Sequence, residues 1–489
     1  MIRLIASLVV ALLCLVSAPS HAREWVRTEL PGVIIYSDGY PHELQRWALK
    51  LRLFDALLRA QTGRPPQDRN SGSPLTIYLL DEGKDVERLT GRENLQGLYS
   101  PSIEGSFLIA NRAPAYDKTR LSGQMSLFHE YTHHFMYHHF TTAWPVWYRE
   151  GFAEYASAIT FDADHKATIG LPNWPRLKHL DGKPMAVEKV LNASVEDFKP
   201  DDRARFYAWS WKLVHVLMAS PEDRRNLARY LRLFASGTDS WAAAQAAFGD
   251  LELLETRLHA HVPDPRGGKI VEVFLPEEEA TAVSAFDPMS SRLIDLRLER
   301  RAGRNRKATA AGLRALVSAN PGNGEARQEL ALALSGIDLS EARMQALQAI
   351  SLSPDDPRAR AIWAGVAFRQ VKTNPASMPS DWVKVRSTLA SNIGHDTRDP
   401  MALATLFRSY LLEPRRPNSA AHIAMARAFS LQPESYELRS LVIYSLALQG
   451  RMAAARRTAR VLASDPHSGD LGQRTLEALD NFGPSRPKR

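Results

Sequence analysis

Cysteine is nearly missing from this chain: Cys14 is the single one, and it sits in an apolar run near the N-terminus. Disulfides are therefore excluded as a source of stability. Charge of one sign is lacking too. Lys and Arg number 62 against 54 Asp and Glu, and the resulting +8 is spread along the sequence. The densest basic runs, "RLERRAGRNRK" (297–307), "PRRP" (414–417) and the terminal "RPKR", read as solvated helix faces and a tail. No RNA- or DNA-binding motif accompanies them, so nucleic acid is not an expected partner. A second long apolar run is also missing, which argues against stable membrane insertion, since a spanning helix needs about 20 such residues. With charged residues at 24% and aromatics at 8%, the composition is that of a globular protein, and 489 residues suffice for two or three cores.

The apolar run itself reads as an address. "MIRLIASLVVALLCLVSAPSHA" has Arg3, an apolar stretch from Leu4 to Val16, and small residues before a cut after Ala22. Residues 1–22 are thus an expected signal peptide, and the protein is expected to be exported, to a bacterial periplasm or outside the cell. Leu13 stands before Cys14 where a lipid-attachment site would need a small residue, so no lipid anchor is expected.

From Glu24 to Arg112 the text mixes strands with helix. "GVIIYSDG" and "LTIYLL" are short β-branched and aromatic runs. Between them, "PHELQRWALKLRLFDALLRAQTG" has helical apolar spacing and a closing glycine. "EGSFLIANR" (104–112) is a further strand, expected at the sheet edge where it could pair with an extended peptide. Long helices are predicted over 121–140 and 201–220. The pattern weakens around 263–290, which places a linker at 265–300. Beyond it almost everything is helical, with Pro321, Pro354, Pro400, Pro433 and Pro466 separated by 33, 46, 33 and 33 residues. A period near 34, with proline closing each helix pair, marks tetratricopeptide-like repeats over 301–489. The longer step implies an insertion around "KTNPASMPSDW". Residues 23–264 are expected to fold without the repeats, because a repeat array builds its core from its own neighbours.

The chemistry concentrates in "LFHEYTHHFMYHHF", residues 127–140. His129-Glu130-Tyr131-Thr132-His133 spells HExxH on a predicted helix. Its two histidines lie about 40° apart around the axis and can share one zinc ion. A third ligand is needed. His139 stands where metzincins place theirs, but their helix-breaking glycine is Met136 here. On a continuous helix His139 is roughly 80° away from His129 and nearly three turns off. His134 and His138 face elsewhere. The better candidate is Glu150 in "WPVWYREGFAEYAS" (144–157), where a second helix can return antiparallel. Glu154, one turn on, can accept from the free N–H of a ligating histidine and set its tautomer. Glu130, beside a ligand without being one, suits the general base that takes a proton from a metal-bound water.

"HEYTH" followed by "WYREGFAEY" resembles the gluzincin, or peptidase MA-like, group of zinc metallopeptidases, with the pattern HExxH then W-x-x-E-G-x-A-E-Y over residues 24–262. The resemblance implies an α+β, thermolysin-like domain over 23–264 followed by the all-α repeats. It implies one Zn2+ on His129, His133 and Glu150, and catalysis by Glu130. By the same analogy Tyr207 steadies the oxyanion, with His215 as the other candidate. The implied activity is hydrolysis of peptide bonds, with the repeats recruiting a protein partner or substrate. Arg149 departs from the family's usual asparagine, and no glycine-rich exopeptidase motif lies near 104–112, so endo- and exo-cleavage stay open. The reading from another class is an inactive scaffold that binds proteins through its repeats.

Overall fold

The computed structural model describes residues 23–65, 73–193, 197–275, 282–392, 398–411, 416–465 and 467–482. The expected signal peptide with Cys14, and Pro466 of the repeat phrases, lie outside the described residues.

The described residues open with a β-hairpin. Strands β1 (Val26–Leu30) and β2 (Val33–Ser37) pair antiparallel around Gly32, whose φ of +69° suits a residue without Cβ. Helix α1 (Pro41–Thr62) carries the chain over to β3 (Leu75–Leu80), parallel to β2, and ends at Gly63 in the left-handed region. Helix α2 (Gly83–Thr90) leads to β4 (Gly97–Ser100) and β5 (Phe107–Asn111). The sheet order is β4-β5-β3-β2-β1 and then β9 (Val283–Ala285). The strand in "EGSFLIANR" is therefore interior: β5 runs parallel to β3 on one side and antiparallel to β4 on the other. The edge on this side is β4, with β9 at the opposite one, because the chain doubles back at 101–106 before β5 is laid down.

Both faces of this sheet are buried, and the period of 2 along each strand decides which residues meet what. Val33, Ile35, Leu75, Ile77, Leu79, Leu108 and Ala110 face the main core beneath α1, helix α3 (Gly123–His139) and helix α4 (Val146–Ser157). Trp25, Tyr78, Leu80, Phe107 and Ile109 face the other way and are covered by α2 and by Ile294 and Leu298. Four helices, α7 (Pro200–Met218), α8 (Pro221–Ser236), α9 (Ser240–Phe248) and α10 (Leu251–Ala260), extend the main core away from the sheet. Before them come β6 (Thr160–Phe161), β7 (Ala167–Ile169) and two short helices, α5 (Trp174–Leu177) and α6 (Val187–Asn192).

The span 265–300 is not a linker. It supplies β8 (Lys269–Val271), which pairs with β7, then β9, which pairs with β1, and finally helix α11 (Pro288–Ala302), which roofs the second face of the sheet. Trp25 Nε1 donates to Asp295 Oδ1 at 3.2 Å, fastening α11 to the first strand. Its sequence looked loose because three-residue strands and a helix whose apolar residues meet a distant sheet leave little local period. A fragment of residues 23–264 is accordingly expected to be insoluble or molten, since it exposes Trp25, Tyr78 and Ile109. Ending the fragment near residue 304 should improve its solubility. A 23–264 fragment that melts cooperatively and exchanges its β3 amides slowly would sink this expectation.

Beyond α11 the described chain is a run of helical hairpins. Helices α12 (Arg306–Ala319), α13 (Gly324–Leu334), α14 (Leu339–Leu352), α15 (Pro357–Thr373) and α16 (Pro379–Asn392) come first, each packed on the next. Helices α17 (Pro400–Leu411), α18 (Ser419–Leu431), α19 (Tyr436–Leu448), α20 (Met452–Ala463) and α21 (Leu471–Asp480) follow. Pro321, Pro354 and Pro433 each stand in a connection between helices, and Pro400 opens one. The 46-residue step holds the 17-residue α15 and the 14-residue α16. The hairpins form a helical repeat region.

Helix α11 and the repeat region both contact the turn 101–106 of the sheet domain. Arg300 pairs with Glu104 at 2.8 Å and Arg301 donates to the Gly105 carbonyl. Farther along, buried Glu434 accepts from Ser106 Oγ at 2.9 Å and lies 3.0 Å from His138 Nδ1, and Gln432 donates to the Ser102 carbonyl. The turn 101–106 is thus gripped by α11 on one side and by the connection between α18 and α19 on the other.

Candidate metal centre

Helix α3 starts where its sequence allows. Ser122 caps it by accepting from Met125 N, and Gly123 is required because a Cβ there would stand 2.1 Å from the Asn111 carbonyl. Leu127, Phe128, Tyr131 and Phe135 anchor it in the main core, with Phe128 stacked on Phe54 at 4.0 Å between centroids. Helix α4 crosses it and packs tightly on α7: a Cβ at Gly151 would lie 2.4 Å from the Ser210 carbonyl. That close approach is why a glycine follows Glu150.

The two helices bring His129, His133 and Glu150 together. The Nε2 atoms of the histidines are 3.1 Å apart, and Glu150 Oε2 is 3.7 Å from each. Ligand atoms held about 2.0–2.1 Å from a tetrahedral zinc stand about 3.3 Å from one another, so the donor set fits that ion in chemistry and spacing. Glu150 is buried. Burial alone would raise its carboxyl, but the imidazoles of His133, His467 and His129 outweigh this and bring it down to about 2. Desolvation also holds the His133 imidazole well below its usual range, which keeps it neutral as a ligand must be. Glu150 Oε1 and His133 Nδ1 are buried without a hydrogen-bond partner among the described residues.

Glu154 lies one turn beyond Glu150 on α4. Its Oε1 lies 3.3 Å from His129 Nδ1, the nitrogen turned away from the ligand cluster. The carboxylate is itself held by Arg176 and by Asn173 Nδ2, the latter at 2.9 Å. Sequence reasoning missed both partners, which lie at the start of α5 in "PNWPRL" with no periodic tie to Glu154.

Glu130 points at the edge strand. Its Oε2 accepts from the Tyr99 backbone N–H at 2.8 Å, and Gly97 leaves room for it, since a Cβ there would meet Glu130 Cγ at 2.9 Å. Burial raises its carboxyl from the usual range, against the pull of His129, His467 and that amide. Tyr207 on α7 stands on the same side as the carboxylates. Its ring lies 5.7 Å from the Arg176 guanidinium, and burial, then Glu150, push its phenol up. His215 is elsewhere: its nitrogens meet the Gly170 carbonyl at 3.0 Å and His261 Nε2 at 2.9 Å.

The remaining histidines of the cluster have structural partners. His134 is buried, 3.3 Å from Tyr99 Oη, and desolvation lowers it to about 3. His139 Nε2 takes Arg59 at 2.9 Å, and His138 meets Glu434. None of the three approaches the ligand cluster.

Two features come from the far end of the chain and carried no signal in the sequence. Arg149, adjacent to Glu150, donates to Tyr137 Oη at 2.8 Å and to the Val461 carbonyl and Ser464 Oγ at 3.1 Å each, and pairs with Asp465 at 3.4 Å. His467, in the turn between α20 and α21, places Nε2 3.5 Å from Glu150 Oε1 and its ring 5.5 Å edge-on from that of His133.

No family model matches the chain, and no curated protein matches it. Among solved structures, a thermophilic TPR protein from Thermus thermophilus is 17% identical, covering 39% of this chain and 98% of its own, with a TM-score of 0.34. A MamA double mutant is 12% identical, over 40% and 95% of the two chains, with a TM-score of 0.26. At such scores the likeness adds nothing to the helical hairpins described above.

Proposed function

We propose that this chain is an exported zinc-dependent peptidase of the gluzincin kind, with tetratricopeptide-like repeats that bring a protein partner or substrate to the site. One arrangement carries the reading: three neutral or anionic ligand atoms converge beside a fourth side chain, Glu130, that is free of them and turned toward a sheet edge. Bound there, zinc would supply a Lewis acid and a water of pKa about 7.

The residues then divide the work. His129, His133 and Glu150 hold the ion, and Glu154 keeps the His129 proton on Nδ1. Glu130 takes the proton of the attacking water and passes it to the leaving amine. Edge strand β4, with its outer backbone groups unpaired by the sheet, is suited to align an extended peptide. Tyr207 is the donor proposed to face the developing oxyanion. Export follows from the leader expected at residues 1–22, and no described helix is long and apolar enough to cross a membrane.

Purified protein is expected to carry one zinc per chain. His129→Ala, His133→Ala or Glu150→Ala should strip it, whereas His139→Ala should leave it, because Arg59 already occupies that nitrogen. Metal analysis that found zinc lost in His139→Ala and kept in Glu150→Ala would sink the assignment. The scaffold reading is favoured by apolar side chains left exposed on the repeats, among them Met344, Leu347 and Ile423. It gives no role to Glu130.

A further inference from the structure

We propose that His467 is a positioning residue for the ligand carboxylate, so that the last helical hairpin completes the metal site of the sheet domain. The inference rests on the zinc reading above and goes beyond the four residues that define it. Glu150 has two oxygens. Oε2 faces both histidine nitrogens, while buried Oε1 has no hydrogen-bond partner among the described residues, and His467 Nε2 reaches it at ion-pair distance, 3.5 Å. A buried carboxylate oxygen left without a donor is costly and free to rotate into the ligand position. A His467 imidazole N–H turned onto Oε1 from that distance would remove both problems and leave Oε2 as the single oxygen presented to the ion.

The turn that carries His467 is built to hold it. The His467 backbone N–H donates to Asp465 Oδ1 at 2.8 Å, and that same oxygen accepts from Tyr137 Oη on α3 at 2.8 Å. Ser468 Oγ donates to the Leu462 carbonyl at 2.8 Å, closing the turn on the end of α20. Arg149 locks onto the same turn through Ser464 and Asp465. Consecutive residues of α4 are thus gripped by one turn: Arg149 by 464–465 and Glu150 by 467. Ligand geometry depends on whether the last hairpin is docked, and a partner that pulls the repeats away would loosen the metal.

Two substitutions in the full chain separate donor from packing. His467→Phe keeps a ring against His133 and removes the N–H; His467→Gln keeps an N–H and removes the ring. Zinc affinity by chelator competition, and the visible spectrum of the cobalt-loaded protein, are read beside thermal unfolding. The Phe variant is expected to bind zinc roughly 10–100-fold more weakly with an altered cobalt spectrum, as when a ligand's supporting partner is lost, and the Gln variant to stay near wild type. Wild-type affinity in the Phe variant, or equal loss in both, overturns the proposal. Wild-type protein that binds no zinc overturns the metal reading itself, and this inference with it.

Discussion

Glu130→Gln should cut hydrolysis of an unfolded protein or peptide library by about 10²–10⁴-fold while zinc content and fold stay unchanged. Gln has the same shape, and its amide oxygen can still accept from the Tyr99 N–H that holds Glu130 now at 2.8 Å. The three ligands are untouched. What disappears is the carboxylate that receives a proton, so the loss belongs in kcat more than in KM. The variant should also hold substrate long enough to be captured, because edge strand β4 and the ligand set remain. Two results would count against the mechanism. Cleavage that survives with zinc present means another group acts as base. Wild-type protein with no zinc-dependent cleavage, and partner binding that maps beyond residue 300 and ignores Glu130, means the chain is a scaffold.

The second large effect is on stability. Arg149 and Asp465 are each 2% exposed at the side chain, and they join the ligand helix to the repeats. Arg149→Ala removes the cation and leaves the Asp465 carboxylate buried with its charge uncompensated. Breaking one partner of such a pair costs about 3–5 kcal/mol. The loss should fall on docking of the last hairpin, so amides of α20 and α21 should lose hydrogen-exchange protection before those of the sheet. Arg149→Lys should be intermediate: the charge survives, but an ammonium cannot reach Tyr137, Val461 and Ser464 at once as the guanidinium fork does. Unchanged protection in Arg149→Ala would show that Tyr137 and the remaining contacts suffice to hold the turn.

Arg149 is also where the sequence departs from the proposed gluzincin resemblance, whose pattern usually has asparagine at that position. In the fold the departure has a physical role, because the longer cationic side chain is the bolt between α4 and the turn 464–465. Nothing near position 149 announces this. The partner lies in the last hairpin, and neither spacing nor composition links the two.

What the sequence determined by itself is what a local period can encode. His129 and His133 face one way because four residues make about one turn, and Met136 in place of glycine keeps the helix running past the reach of His139. Glu150 and Glu154 share a face of α4 for the same reason, and prolines at steps of 33, 46, 33 and 33 residues mark the helical hairpins. Tertiary structure alone decided the rest. It made β4 the sheet edge and not β5, turned 265–300 from a linker into two strands and a roofing helix, sent His215 to Gly170 and His261, and brought Asn173, Arg176 and His467 to the site. Those contacts join residues far apart in the chain, where strand order and helix docking are set by which buried faces must be covered, and no period within a single segment records that.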